Sequence, residues 1–375
     1  MNLLITMKLS NKNMMYHIYP ITLLDEVDKV IIVRDTRGPD INKVQYYCPP
    51  SWTLKFPLIA LLYKFFLMIN LSIREKPKLI HGYLMFPHGI LAFIVGILTR
   101  NKVGISLIAG PVELYILGKS PIGKYPYCKS LPPLNFTAKI SLNLLNKCNI
   151  ITVSGNYTKK ILDSLGIKRE KIFILPHTID STFKPVNMVK EYDIVFVGRL
   201  AGVKHIEVLI NSINIIRNTF KDVKVAIVGD GECKTKLENL TRELDLSQNI
   251  FFVGYQSDVW KWYNKGKIST LTSEREGFPY SVVEALSCGL PVISSNCGDV
   301  SDVLINGYNG FIIDDYQDHN ELAEAIFNLM SNSELLLECS NNAVKSIQCL
   351  TPESVANIWK KIVYNPSLAD STKIM

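Results

Sequence analysis

Two carboxylates, Glu276 and Glu284, lie eight positions apart in a segment that reads as a loop followed by a short helix. The run 268–272 before them, Ile-Ser-Thr-Leu-Thr, is strand-like. Pro279 suits the first helical position, where its missing N–H costs no hydrogen bond, and Gly289 suits the residue just past the helix end. Such a helix start presents backbone N–H groups that can bind an anion. A phosphate there, with acidic groups nearby, points to a ligand that is part phosphate and part polyhydroxyl, as a nucleotide sugar is.

A second set of residues could bind a diphosphate. Gly198 and Arg199 follow an apolar strand directly, and Lys204 opens the next predicted helix. An arginine forms forked hydrogen bonds to phosphate, whereas a lysine acts as a point charge. From these residues alone, a diphosphate site and ordinary surface charge both remain open.

The turn Asp230-Gly231-Glu232 also follows a predicted strand. It lacks the Gly-x-Gly-x-x-Gly spacing of a dinucleotide-binding loop. We therefore predict a turn that lines a cleft and caps the next helix.

Composition indicates a globular protein of two domains. The chain has 375 residues, of which 47% are hydrophobic and 20% charged, which is enough for two cores of ordinary size. Its eight cysteines show no Cys-x-x-Cys pair and no zinc-like spacing, which is typical of free thiols in a reducing compartment. The N-terminus lacks the charged start of a signal peptide and reads as a first core strand. We therefore expect a cytoplasmic protein.

Charge is distributed unevenly along the chain. Residues 1–200 contain 26 Lys and Arg against 12 Asp and Glu, whereas residues 201–375 contain 15 against 22. A basic first half favours an anionic partner, either membrane lipid headgroups or a phosphorylated acceptor; solubility charge is the alternative. A nucleic-acid partner is not expected, because no RNA- or DNA-binding motif accompanies the charge.

Two apolar stretches, 56–71 and 83–98, need comparison with a membrane span. Both are interrupted by proline, and the first also by Lys64, so neither reaches the roughly 18–20 uninterrupted apolar residues of a spanning helix. Buried helices of an α/β domain are one interpretation. A surface helix lying on a membrane around residues 52–72 is the other.

Strand-like and helix-like runs alternate through most of the chain. Continuous apolar strands separated by helices predict parallel sheets covered on both faces. The alternation breaks at 175–185 and resumes at Tyr192, so we place a domain boundary near residue 186. The predicted strands are 30–33, 79–80, 104–108, 150–154, 193–197, 223–228, 250–252, 268–272 and 291–294. The predicted helices are 56–71, 88–99, 135–147, 157–165, 204–219, 232–244, 257–264, 280–288, 318–331 and 352–364.

Several segments in order resemble the retaining glycosyltransferases of family 4, which have the GT-B fold. Glu276-x7-Glu284 followed by Gly289-Leu290-Pro291-Val292 resembles the family signature. The other matching segments are 196–200, 227–232, 252–255 and 307–311. The resemblance implies an α/β chain with two facing Rossmann-like domains, parallel sheets and a cleft between them. It also implies an N-terminal acceptor domain at 1–185, a C-terminal donor domain at 186–351, and a last helical segment, 352–375, that packs back on the first domain.

The resemblance assigns roles to individual residues. Arg199 and Lys204 would contact the donor diphosphate, and Glu284 the ribose hydroxyls. Glu276 would be catalytic, beside the sugar ring and its developing oxocarbenium charge. The full set implied to bind the donor is Gly198, Arg199, Lys204, Gly229, Gly254, Tyr255, Gly277, Phe278, Pro279 and Glu284.

The implied reaction is transfer of a hexose, with retention, from a nucleoside diphosphate sugar to a hydroxyl group. The acceptor would be a glycan or a lipid-linked intermediate of cell-envelope polysaccharide synthesis, with the protein peripheral on the inner face of the cell membrane. No Asp-x-Asp run is present, so we predict a metal-independent reaction without a cofactor, in which cations stabilise the leaving group. A nucleotide-sugar epimerase and a donor-binding protein without transfer activity are the alternatives.

The first domain departs from the family pattern. No glycine lies between Lys8 and Met15, where the family has a glycine-rich loop, and Ala109 occupies the position of an expected histidine. We predict His88 as the catalytic histidine, with Glu113 as a second candidate. The structural alternatives are a helix-capping His88 and a surface Glu113.

Overall fold

A computed structural model describes residues 1–115 and 134–364 of the chain. These residues form two compact units. The first comprises the described residues up to Thr178 together with the segment from Leu350, and the second comprises Ile179–Cys349. The boundary thus lies before the predicted residue 186. Residues 365–375 of the predicted C-terminal segment, and Cys128, lie outside the described residues.

The first unit contains a parallel sheet of seven strands. The strands are β1 (Asn2–Thr6), β2 (Lys29–Val33), β3 (Val44–Tyr47), β4 (Leu79–Tyr83), β5 (Lys102–Leu107), β6 (Ile150–Val153) and β7 (Ile172–Ile174). Their order across the sheet is β3-β2-β1-β4-β5-β6-β7, and each neighbouring pair is parallel. The helices are α1 (Asn11–Thr22), α2 (Pro57–Glu75), α3 (Ile90–Thr99), α4 (Phe136–Lys147) and α5 (Asn156–Ser164).

The core of the first unit is closed from one side by the last helix of the described chain, Pro352–Tyr364. This helix packs on α1, and its Trp359 is buried in one cluster with Leu3, Ile18 and Tyr83. Without this helix, these apolar side chains would face water. Its packing therefore stabilises the core of the first unit. The last helix therefore belongs to the first unit by packing, although it is the last segment in sequence.

The second unit contains a parallel sheet of six strands. They are β8 (Tyr192–Val197), β9 (Val225–Val228), β10 (Ile250–Gly254), β11 (Gly266–Leu271), β12 (Val292–Ser295) and β13 (Gly310–Ile313). The order is β10-β9-β8-β11-β12-β13. The helices are α6 (Ile206–Ile216), α7 (Lys234–Glu243), α8 (Val259–Lys265), α9 (Tyr280–Ser287), α10 (His319–Ser331) and α11 (Ser333–Ser346), and α12 is Pro352–Tyr364 of the first unit.

The α/β class and the parallel sheets are confirmed, and most predicted elements are present with bounds shifted by a few residues. Five of the named strands and helices were not predicted: β3, β7, β13, α1 and α11. In α1, Pro20 lies in the last turn, where it interrupts the sequence pattern of a helix. Among the described residues, α2 is the one helix long and apolar enough to cross a membrane.

Candidate functional site

The candidate donor residues lie where the order of strands along the second sheet reverses, between β8 and β11. From β8 the chain continues to β9 and β10 on one side, and later to β11, β12 and β13 on the other. The loops that leave the carboxyl ends of β8 and β11 therefore diverge and leave a crevice, which is where open α/β sheets bind ligands. Arg199 and Lys204 follow β8, and Glu276 follows β11.

Lys204 and Glu276 form a direct ion pair across this switch point. The Lys204 ammonium donates to Glu276 Oε1, and the Ser273 hydroxyl donates to the same oxygen at 2.7 Å. The two charged side chains are 18% and 17% exposed, so both remain accessible to a ligand. The predicted diphosphate cation and the predicted sugar-side carboxylate are therefore immediate neighbours.

Backbone contacts fix the two loops that carry this pair. The Thr272 hydroxyl donates to the Lys204 carbonyl oxygen at 2.7 Å, and the Glu274 N–H donates to the Val203 carbonyl at 3.0 Å. Lys204 lies in a 3-10 turn, and α6 begins only at Ile206. The prediction that Lys204 opens the helix was wrong, because the turn is held by the β11 loop instead.

Arg199 is exposed directly beyond the end of β8. Within residues 1–115 and 134–364, its guanidinium forms no ion pair with a carboxylate. Its forked donors are thus available to an anion at the same edge as Lys204.

Three of the predicted glycines lie side by side at this edge. The Gly198 N–H donates to the Val228 carbonyl at 3.0 Å, and the Gly229 N–H donates to the Gly254 carbonyl at 2.9 Å. A Cβ on Gly229 would lie 1.8 Å from the Gly198 carbonyl oxygen, and the φ of Gly229 is +148°. Only glycine fits this position. Tyr255 follows Gly254 with an exposed ring.

The neighbouring turn at Asp230 does not cap the next helix. Its carboxylate accepts from the Gly231 N–H at 2.8 Å, whereas α7 begins at Lys234 with Cys233 as its N-cap residue. The predicted helix-capping role was wrong because the turn continues for three more residues before the helix starts.

The helix after the acidic loop is α9. Pro279 is its N-cap residue with ψ of 80°, not its first helical residue as predicted. Gly289 lies just past the end at φ +78°, as predicted. The side chain of Phe278 is buried, with its ring 5.6 Å from that of Tyr280. A donor contact by Phe278 would therefore have to come from its backbone N–H, and it stays a prediction.

Glu284 lies on the buried side of α9. It is 5% exposed, and the Tyr263 hydroxyl lies 3.5 Å from its Oε2 and donates to the Ser281 carbonyl at 3.2 Å. Little of this carboxylate is therefore accessible to a ribose hydroxyl. Its contact with the donor stays a prediction.

Gly298 supports the Glu276 loop and was not singled out from the sequence. Its φ is +56°, and a Cβ there would lie 2.2 Å from the Glu276 carbonyl oxygen. The neighbouring Asp299 N–H donates to the Gly277 carbonyl at 3.3 Å. The turn after β12 thus packs directly against the backbone of the Glu276 loop. Its sequence signal, a glycine soon after a buried strand, is shared by many turns.

The first sheet has its own switch point, between β1 and β4. His88 lies there, in the turn Met85–Gly89 that precedes α3, with its Nδ1 2.8 Å from the Thr6 hydroxyl at the end of β1. It does not cap α3, so the capping alternative was wrong. Burial lowers the pKa of His88 to about 4, with the positive charge of Lys64 adding to the effect. The imidazole is therefore neutral at pH 7.

Glu113 holds together the loops after β4 and β5. Its two oxygens accept from the backbone N–H groups of Met85 and Ala109 at 2.7 and 2.6 Å. Burial raises the pKa of Glu113 to about 7. The surface-carboxylate interpretation was wrong, because this side chain bridges two loops. Ala109, at the position expected for histidine, is exposed beside it.

In the part of the chain that the structure describes, no group of three or more His, Cys, Asp or Glu side chains is arranged to bind a metal ion. The prediction of a metal-independent reaction rests on the cations Arg199 and Lys204 and remains a prediction.

Comparison with known proteins identifies the relatives of the chain. The family model described as glycosyl transferases group 1 matches residues 179–346. An uncharacterised glycosyltransferase of Methanocaldococcus jannaschii is 30% identical over 276 residues, which is 71% of this chain and 69% of that protein. The poly(glycerol-phosphate) alpha-glucosyltransferase of Bacillus subtilis is 28% identical over 66% of this chain, but the match spans only 40% of that longer protein.

Solved structures share the fold. HepE of Anabaena, in complex with UDP-glucose, has a TM-score of 0.74 at 16% identity, with 96% of this chain and 99% of that chain covered. Sucrose-phosphate synthase of Thermosynechococcus elongatus has a TM-score of 0.73 at 17% identity, with 96% and 98% covered. These likenesses show the GT-B fold. The chain belongs to the glycosyl transferases group 1 family and is a glycosyltransferase with two Rossmann-like parallel-sheet units.

Proposed function

We propose that the protein transfers a hexosyl group, with retention, from a nucleoside diphosphate sugar to a hydroxyl group of a cell-envelope glycan or lipid-linked intermediate. The observation that carries the proposal is the ion pair of Lys204 and Glu276 at the β8–β11 switch point. It brings a cation and a carboxylate together at the edge where open α/β sheets bind ligands. A sugar diphosphate needs both: positive charge for its phosphates, and negative charge beside its anomeric carbon.

The donor diphosphate lies, in this proposal, between Arg199 and the Lys204 ammonium. The ammonium has three N–H donors, so it can keep its bond to Glu276 while it binds a phosphate oxygen. Gly198 and Gly229 carry no side chain over this edge, which lets the phosphates approach the backbone closely. Arg199 and Lys204 stabilise the charge on the departing diphosphate, the role that a metal ion has in other transferases.

In the transfer step the bond between the anomeric carbon and the diphosphate oxygen breaks. The acceptor oxygen forms its new bond on the same face of the sugar, and its proton passes to the departing diphosphate. Glu276 stabilises the oxocarbenium charge that develops between these events. Nothing is oxidised or reduced, and the products are a nucleoside diphosphate and a glycoside with the original anomeric configuration.

The acceptor is proposed from the relatives and from the charge of the first half. The named relatives include enzymes of poly(glycerol-phosphate) glucosylation, of capsular polysaccharide synthesis in Staphylococcus aureus and of O-antigen synthesis in Escherichia coli. All three polymers belong to the cell envelope. The excess of Lys and Arg in residues 1–200 suits a phosphorylated or lipid-linked intermediate.

The proposed location is the cytoplasm, at the inner face of the cell membrane. Seven cysteines lie in the described part of the chain, and all seven are free thiols. Free thiols are typical of a reducing compartment.

A binding panel tests the donor site. UDP, GDP, ADP and their hexose conjugates would be titrated by calorimetry, without metal and then with magnesium. We expect one nucleotide to bind without metal. Lys204→Ala should weaken its affinity roughly tenfold or more, the scale of a lost hydrogen bond to a charged group.

Lys267→Ala is the matched control. Lys267 pairs with Asp193 at 2.8 Å across the same two strands, β8 and β11, but at their amino ends. The nucleotide affinity of this variant should stay unchanged. Equal losses in the two variants, or no binding by any nucleotide, would contradict the proposed donor site. Hydrolysis or isomerisation of the donor without acceptor would instead favour an epimerase, and tight binding without turnover a donor-binding protein.

A further inference from the structure

The helix α2 is apolar on two opposite faces, and in the described part of the chain only one of them is covered. Its inner face, formed by Ala60, Lys64, Met68 and Leu71, is buried. Met68 and Leu71 pack in one cluster with Leu4 and Ile31 of the sheet. A helix that covers a sheet normally presents polar residues on its other side. Here the other side needs a separate explanation.

The outer face of α2 carries large apolar side chains at intervals of three or four residues as far as Phe66, followed by the exposed Asn70 and then by Ile73. The apolar side chains are Leu58, Ile59, Leu62, Tyr63, Phe66 and Ile73, and each is exposed. Phe66 is 65% exposed and Leu58 69%. Trp52 and Phe56, from the 3-10 turn that precedes the helix, extend the outer face at its start. Scattered exposed apolar residues are ordinary, but a contiguous stripe of this kind marks an interaction surface.

The apolar surface continues onto α3, which packs beside α2. Ile73 at the end of α2 and Leu98 at the end of α3 line one shallow groove, together with Lys76 and Asn101. Ile94 and Ile97 of α3 are exposed as well. Two neighbouring helices thus present one apolar surface.

Basic residues border this surface, and acidic residues are nearly absent from it. No Asp or Glu occurs from residue 41 to residue 74 or from residue 76 to residue 112. The one carboxylate between these stretches, Glu75, is already paired with Lys29 at 2.9 Å and with Arg74 at 3.0 Å. The exposed basic residues at the border are Lys55, Arg74, Lys76, Arg100 and Lys102.

Length and composition would allow α2 to cross a membrane, and only 28% of its most apolar window is buried. Its inner face argues for a different arrangement. Lys64 is buried and donates to Asp35 at 2.6 Å, and the apolar residues beside it complete the core of the first unit. A spanning arrangement would remove this helix from the sheet and expose that core. A helix that keeps its inner face on the protein can only lie along the bilayer.

We propose that the outer face of α2, with the exposed residues of α3, docks the first unit on an anionic lipid bilayer. The apolar side chains enter the boundary between headgroups and acyl chains, and the basic border contacts the negative headgroups. A second copy of the chain is disfavoured as the occupant. A two-fold interface would place the same basic border opposite itself, so like charges would face one another.

This inference deepens the proposed location at the membrane, but it rests on the exposed residues alone and not on the donor site. Flotation of the full-length protein with phosphatidylcholine vesicles, with and without phosphatidylglycerol, tests it. The protein should float with the anionic vesicles and much less with the neutral ones. Raising the salt concentration should weaken the binding, because the headgroup attraction is screened.

The variant Leu62→Ser, Phe66→Ser should reduce the bound fraction at least about tenfold, because both side chains lose their apolar contact with lipid. Phe136→Ser is the matched control, since Phe136 is 77% exposed on α4 of the same unit. Its binding should equal that of the unchanged protein. Leu62, Phe66 and Phe136 are all solvent-exposed. We therefore expect the thermal unfolding of both variants to be unchanged, and it would be measured alongside.

Two results would overturn the proposal. The first is flotation that Leu62→Ser, Phe66→Ser leaves unchanged or that does not depend on phosphatidylglycerol. The second is a dimer in sedimentation velocity that this variant dissociates, which would assign the surface to a second copy. Nucleotide binding by the same samples separates the two proposals: lipid binding without nucleotide binding would retain the docking surface and reject the donor site.

Discussion

The two sheets each have a switch point, and the residues at the two points differ in charge. Between β8 and β11 the structure places a charged pair, Lys204 and Glu276, with both side chains partly accessible. Between β1 and β4 it places a neutral pair, His88 and Thr6, with the histidine buried. The same topology thus carries an ionic site in one unit and a neutral one in the other.

This difference indicates that the two switch points suit different kinds of ligand group. A charged edge binds a ligand that brings its own charge, as a diphosphate does. A neutral imidazole can accept or donate a hydrogen bond without changing the charge of the site. The low pKa of His88, about 4, keeps it neutral over the physiological range. The switch point of the second unit is therefore suited to a charged group, and that of the first unit to a neutral one.

Replacement of Glu276 should give the largest effect on the charged side of the comparison. Glu276→Gln removes the negative charge beside the anomeric carbon and keeps the size of the side chain. We expect transfer to fall about 10²- to 10³-fold, the range for loss of one electrostatic contact in a transition state. Nucleoside diphosphate affinity should stay equal or rise a few-fold, because Lys204 loses its competing carboxylate. A steady-state assay together with calorimetry measures both quantities, and loss of nucleotide binding would refute the catalytic role.

Acid should destabilise the neutral side of the comparison. Burial lowers the pKa values of His17 and His81 to about 3, and that of His177 falls well below its usual value. In the unfolded chain these histidines take up a proton near pH 6.5, whereas in the folded state they stay neutral to much lower pH. The free energy of unfolding is therefore unaffected above pH 6.5 and decreases as the pH falls toward 3. At pH 5 the loss is about 2 kcal/mol for each of His17 and His81.

Glu113 acts in the opposite direction. Its raised pKa, about 7, means that the folded state takes up a proton first as the pH falls, which adds stability between pH 7 and about 4.5. The buried histidines outnumber it, so the net effect of acid should be destabilising. Denaturant unfolding of the variant Trp260→Phe, Trp262→Phe at pH 7.5 and pH 5, followed by fluorescence, reports on the first unit through Trp52 and Trp359. A free energy of unfolding that stays constant over this range would contradict the prediction.

A smaller effect is expected from the turn that supports the charged site. Gly298→Ala and Gly307→Ala both place a side chain at positive φ, +56° and +73°, at a cost of about 1–2 kcal/mol each. Only at Gly298 would the new Cβ also meet a neighbour, the Glu276 carbonyl oxygen at 2.2 Å; at Gly307 it meets nothing within 4 Å. Gly298→Ala should therefore lower transfer about tenfold or more in addition, because the carboxylate is displaced. Equal activities of the two variants would show that the turn does not position Glu276.

More of the second unit than of the first could be predicted from the sequence. The strands of the second unit end in short segments with glycine, arginine or glutamate, and the resemblance of these segments to the family's motifs, not residue type alone, assigned them to the donor site. The first unit lacks the corresponding glycine-rich loop and histidine, so its candidates had to be chosen among single residues. Two of its strands, β3 and β7, are short, and neither length nor periodicity separates such segments from loops.

Some expectations failed because a tertiary contact took precedence over a local signal. Lys204 has the sequence position of a helix start, yet the β11 loop holds it in a turn before α6. Glu113 is of a residue type that usually lies at the surface, yet two backbone N–H groups from separate loops donate to its carboxylate. The distant partners, Thr272 for Lys204 and Met85 for Glu113, lie 68 and 28 residues away in sequence.

The sequence by itself determined the parallel α/β class and the positions of most elements. It also determined the set of residues at the carboxyl ends of β8, β9, β10 and β11. The class and the elements follow from apolar periodicity and from glycine and proline positions, which act over a few residues, whereas the set of residues at the strand ends follows from their resemblance to the family's motifs. The tertiary structure alone decided that Lys204 and Glu276 form a pair, that Gly298 supports their loop, and that the outer face of α2 stays uncovered. Each of these depends on which strands become neighbours and which helix faces find a partner, and that is settled only when distant segments pack together.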